Sequence, residues 1–113
     1  MTDREMLELA ARAVNGGSWH PLTHNAPNGD WNPRDDDGDA LRLAVQLMIR
    51  VSVNRAFPLG IPGSVTAEYP DRDCFYFALG EAVTNGDPYA ATRRAITRAA
   101  AEIGRQMEEA SND

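Results

Sequence analysis

The sequence predicts an α+β domain: a small three-stranded, mainly antiparallel sheet covered by helices. Three observations carry this. Apolar residues recur at helical spacing near both ends and again after residue 36. Between about residues 49 and 79 the period falls to two, the mark of half-buried strands. Clusters of proline, glycine and aspartate separate these runs. Two layerings fit the pattern. Helices on both faces would give an α/β/α sandwich, and helices on one face a two-layer α+β domain. At 113 residues the length is that of a single domain spanning 1–113. A domain this size hides roughly two-thirds of its unfolded surface, enough for one core without staples.

The first helix is expected over 3–14. Thr2 and Glu5 form a capping box, Met6, Leu9, Ala10 and Ala13 repeat at helical spacing, and Asn15-Gly16-Gly17 ends the run. Residues 16–35 hold prolines and glycines without periodicity and read as a long irregular loop. It carries Trp19 and Trp31, whose large apolar rings are expected to fold back onto the core.

The second helix starts at Asp36 or Asp37, where acids suit the positive end of the helix dipole. Its expected buried stripe is Ala40, Leu41, Ala44, Val45 and Met48, which Leu43 and Leu47 broaden, so the helix calls for cover on two sides. Helix passes to strand near Met48 with no glycine between. Ile49, Val51 and Val53 then share one strand face. A connection over 57–63 leads to a second strand, Ser64 to Tyr69. Turn residues lead to a third, Cys74 to Leu79, antiparallel to the second, and 80–86 is loop. Asp87 caps the last helix and Pro88 opens it. Its inward stripe is Tyr89, Ile96, Ala99, Ala100, Ile103 and Met107, with Arg94 and Arg98 on the other side and Arg98 placed to pair with Glu102. The acidic tail 108–113 is expected to fray.

Charge and cysteine usage narrow the function. Net charge is −6, and every basic residue is arginine. Residues 1–39 hold eight acids and three arginines. Bulk electrostatics therefore argue against direct nucleic-acid binding and favour an acidic face for a basic partner. Cys74 stands alone and cannot form an internal disulfide, which fits a reducing cytoplasm. No apolar run reaches the ~18 residues of a membrane span. The first six residues lack the basic-then-apolar pattern of a signal peptide.

The densest cluster of chemically capable residues is Asp35-Asp36-Asp37-Gly38-Asp39. Placing Gly38 at the sixth position of a calcium loop puts Pro33 first and Ala44 twelfth, so the first ligand and the final glutamate are missing. Capping explains these acids better than a metal does. His20 and His24 are four apart, but the surrounding prolines argue against a helix that would align them, and no glutamate lies between. Arg93, Arg94, Arg98 and Arg105 offer a basic helix side that reads as a solvated face rather than a phosphate site. No phosphate loop, nucleophile elbow or dinucleotide fingerprint is present. No catalytic, cofactor or metal residues are assigned, and the chain reads as a non-enzyme.

Three pieces in order are similar to a known family: Trp31-Asn32-Pro33, then Asp37-Gly38-Asp39-Ala40-Leu41, then Asp87-Pro88-Tyr89-Ala90-Ala91-Thr92-Arg93-Arg94-Ala95-Ile96. They resemble the phage ABA-sandwich domain family and the related NinX-like proteins of lambdoid phages. The 16–30 insertion departs from that pattern. The resemblance implies an α/β/α sandwich and a phage- or prophage-encoded protein of the bacterial cytoplasm, and it carries no established activity. The leading expectation is an accessory protein acting by protein–protein contact through Trp31, Asp35, Asp36, Asp37 and Asp39. One form of this is an acidic inhibitor of a host nucleic-acid or defence enzyme. The alternative is a small-ligand or divalent-cation module using the acidic 35–39 segment.

Overall fold

The structure, a computed structural model, describes residues 2–14, 31–56, 60–70 and 76–111. In chain order the elements are α1 (Asp3–Val14), α2 (Asp37–Leu47), β1 (Arg50–Ala56), β2 (Ile61–Pro70), β3 (Tyr76–Ala82) and α3 (Pro88–Ser111). The strands form one antiparallel sheet in the order β1-β2-β3. The α+β class, the three strands and their antiparallel sense are as the sequence predicts. Expectations for Trp19, His20, His24 and Cys74 lie outside the described residues.

Register decides the layering. Val51 and Val53 stand opposite Ala67 and Val65, and Leu79 and Phe77 stand opposite Ala67 and Tyr69, so these side chains share one face. Val65, Ala67 and Tyr69 are buried there, in one core with Ile96, Ala99 and Ile103 of α3. The opposite face carries Arg50, Ser52, Asn54, Thr66, Glu68, Ala78 and Gly80. On it the Asn54 amide donates to Thr66 Oγ1 at 2.8 Å and to Ser64 Oγ at 3.2 Å, and the space beside Gly80 is empty. Among the described residues, then, helices cover one face only. The described residues thus form the two-layer arrangement rather than the α/β/α sandwich.

α3 is the central helix. From Ala95 to Gly104 nearly every residue is buried, because α3 meets β2 and β3 on one side and α1 and α2 on others. Alanine and glycine make this possible, since small side chains let helix backbones approach closely. α1 runs parallel to α3: Leu9 abuts Gly104, and Arg12 pairs with Glu108 at 3.7 Å. α3 continues to Ser111, beyond the point where the sequence places the frayed tail.

Local signals account for the helix ends. Asp36 caps α2, with its carboxylate accepting from Asp39 N at 2.8 Å. Asp87 caps α3 through Ala90 N at 3.0 Å. Thr2 Oγ1 accepts from Glu5 N at 3.1 Å. Asp36→Ala is expected to cost about 1 kcal/mol in chemical denaturation while Asp36→Ser keeps most of the stability. Equal losses from both variants would refute the capping role. The glycine-free end of α2 is reached by strain: Met48 adopts φ 56 and ψ 40, and Ile49 N bonds Ala44 O at 2.9 Å.

Two strand boundaries move. β2 begins at Ile61 rather than Ser64, because a bulge between Asn54 and Arg55 accommodates Pro62 in the ladder. β3 runs on to Ala82, past the expected end at Leu79, while the expected first residues 74 and 75 lie outside the described residues; a tight turn follows in which Asn85 (φ 55) and Gly86 (φ 66) are both left-handed.

Candidate functional site

The Trp31–Asp39 segment is a structural joint. Trp31 is only 8 % exposed and belongs to the core. Its ring thus folds back onto the core, as the sequence predicts, and presents little area to a partner. Asn32 organises the turn after it: its carbonyl accepts from Asp35 N and Asp36 N, its side-chain amide donates to Asp35 at 2.8 Å, and its backbone N–H donates to Asp39 at 2.9 Å. Arg34 pairs with Asp3 of α1. Arg93 of α3 donates to Arg34 O at 2.9 Å and to Asp37 at 2.7 Å. The joint thus ties α1, α2 and α3 together.

Each acid of the cluster already has a protein partner. Asp35 holds Asn32, Asp36 caps α2, Asp37 meets Arg93, and Asp39 accepts from Asn32 N and pairs with Arg42 at 2.9 Å. Asp35, Asp36 and Asp37 are exposed and Asp39 is partly buried. Among the described residues no group of three or more His, Cys, Asp or Glu side chains converges on a point where a metal ion could sit.

The arginines of α3 are also engaged. Arg94 and Arg98 both reach Glu81 on β3, so Arg98 pairs across elements instead of with Glu102. Arg105 takes Glu102 and Glu109. The hydrogen bond and the negative charge of Glu102 raise its pKa further above an already high ordinary value. The side expected to be a solvated basic face instead clamps the helix to the sheet and to itself.

Large apolar side chains are exposed as well. Leu41 (64 %), Val45 (69 %) and Met48 (71 %) form a row along α2, with Val51 and Val53 beside it on β1 and Tyr89 (68 %) at the start of α3. The sequence assigned Leu41, Val45, Met48 and Tyr89 to buried stripes. The buried stripe of α2 is instead Ala40, Leu43 and Ala44, with Leu47 partly buried. The row at 41, 45 and 48 is the second side of that helix, and none of the described residues covers it. Two concavities meet at Leu41. One, of about 290 Å³, lies between the first turns of α2 and α3, with the Asp37–Arg93 pair on its wall. The other, of about 520 Å³, runs between the α2 row and the start of β1, where it is lined by Val45, Met48, Ile49 and Val51. Monomeric proteins rarely leave contiguous apolar surface of this kind without a use for it.

No known family model matches the chain, and neither the curated proteins nor the solved structures contain a match. Among the described residues no helix is long and apolar enough to cross a membrane.

Proposed function

We propose that this chain is a non-enzymatic accessory protein, phage- or prophage-encoded and acting in the bacterial cytoplasm, that works by binding protein through the apolar strip from Tyr89 along Leu41, Val45 and Met48 to Val51. The phage assignment is supported by the sequence resemblance at residues 31–41 and 87–96. The contact function is supported by one observation above all: α2 exposes a complete i, i+4, i+7 apolar row while its acidic start is engaged in internal bonds. Desolvating aliphatic side chains supplies the main driving force of association. Acids that already cap and pair have less to gain from a new partner.

The test is capture from a bacterial lysate that also contains untagged copies of the chain. Tagged wild-type protein is expected to retain one stoichiometric protein. Leu41→Asp/Val45→Asp is expected to lose it, and Asp35→Ala/Asp37→Ala to keep it. Retention by the α2 variant together with loss by the acid variant would return the contact to the acidic segment and overturn this reading.

A further inference from the structure

We infer that the occupant of the strip is a second copy of this chain, joined edge to edge through β1 around a twofold axis at Ser52. This rests on the strip being a protein-contact surface, and it goes further by naming the partner and the register.

β1 is an edge strand, and among the described residues nothing pairs with its outer side. An open edge with an apolar face is a template for another strand. Natural edges are blunted by charge, proline or bulges. β1 has a bulge, but it comes after Asn54, which leaves a regular stretch of Arg50-Val51-Ser52-Val53-Asn54. That stretch is nearly palindromic about Ser52. Paired antiparallel with its own copy about that residue, it places Val51 opposite Val53 of the second copy, and Val53 opposite Val51. These four valines form one apolar ladder on the face that carries the helices. On the other face Ser52 meets Ser52 and Arg50 meets Asn54, so like charges do not stand opposite each other. A shift by one residue would set apolar against polar faces, which the pleat forbids.

The α2 row completes the interface. The groove of about 520 Å³ places Val45 and Met48 beside Val51, so a strand added at the β1 edge continues the sheet beneath the α2 row, and the copy's own row faces it across the axis. The six side chains Leu41, Val45, Met48, Val51, Val53 and Tyr89 are between 38 % and 71 % exposed and form its apolar part. A stable dimer needs about 800 Å² from each partner. Arg42, Gln46 and Arg50 are exposed around the apolar part and form a polar rim. Charge permits the approach. Residues 40–67 contain no acid although the chain carries −6. Arg42 is balanced by Asp39, Arg50 stands opposite Glu68, and the exposed Arg55 lies past the bulge, outside the paired stretch.

The experiment uses the full chain in a Cys74→Ser background. Sedimentation at micromolar concentration is expected to give twice the chain mass. Ser52→Cys is expected to form a disulfide-linked dimer under mild oxidation, because directly opposed residues in an antiparallel ladder lie within disulfide range. Ala78→Cys, on the same face but on the far strand, is expected not to. Val45→Asp/Val53→Asp is expected to weaken the dimer at least 100-fold with an unchanged circular dichroism spectrum, since both positions are exposed in the protomer. A wild-type monomer, or a dimer that Ser52→Cys does not link, overturns the inference. A dimer that survives Val45→Asp/Val53→Asp overturns it as well. A wild-type monomer that still captures a different protein, lost on Leu41→Asp/Val45→Asp, sinks the self-association alone and leaves the contact function standing.

Discussion

Gly104→Ala is expected to destabilise the protein by about 3 kcal/mol. On an exposed helix the same change would stabilise by up to ~1 kcal/mol, because alanine is the better helix former. The sign reverses here through one contact. A Cβ on Gly104 would lie 2.0 Å from the Leu9 carbonyl oxygen and 2.7 Å from its carbon. Both are backbone atoms of α1, so no side-chain rotation relieves the clash. The helices must separate, and the tight packing of Ala10, Ala11 and Ala13 on α1 with the α3 core loosens with them. In a domain of this size the loss corresponds to a melting temperature lower by roughly 10 °C or more. Thermal unfolding of wild type, Gly104→Ala and Gly80→Ala at one fixed protein concentration checks this. Gly80 faces open space, so its alanine variant is expected to change little. A Gly104→Ala protein as stable as wild type would mean that α1 does not sit where the structure puts it.

Trp31→Ala is expected to cost 3–4 kcal/mol, with the order of magnitude set by removing a buried indole. Trp31 packs into the core directly before the turn that Asn32 organises, so its loss also loosens the joint of Arg34, Asp37 and Arg93. Asp35→Ala, an exposed change in the same segment, is expected to stay within about 0.5 kcal/mol of wild type. Urea unfolding of the two variants separates the meanings of this segment. If Trp31→Ala left stability unchanged but abolished capture of a protein partner, Trp31 would be a contact residue and its place in the core would be wrong.

The candidate site was legible in part. The acids from Asp35 to Asp39 stand out in the sequence, and capping is a short-range property that spacing reveals. Asp36 and Asp87 were therefore readable as caps. The partners of Asp37 and of Arg93, Arg94 and Arg98 were not. Arg93 meets Arg34 and Asp37 across more than fifty residues of chain, and Glu81 meets Arg94 and Arg98 only after β3 and α3 have packed. The apolar strip was visible too, but it carried the opposite meaning. Leu41, Val45 and Met48 have the spacing of a core stripe, and periodicity shows that a row is apolar without showing what lies on it.

The sequence by itself determined the three helices, the three strands, the antiparallel pairing of the second and third, and the helix starts. These depend on side-chain periodicity and on turn and cap residues, interactions that reach only a few positions along the chain. Only the tertiary structure decided that, among the described residues, helices lie on one face of the sheet, α3 runs buried through the middle, and the second apolar side of α2 stays uncovered. Those outcomes depend on which rows find a partner at long range. One helix cannot cover three strands: α3 settles on β2 and β3, and none of the described residues covers the α2 row beside the β1 edge.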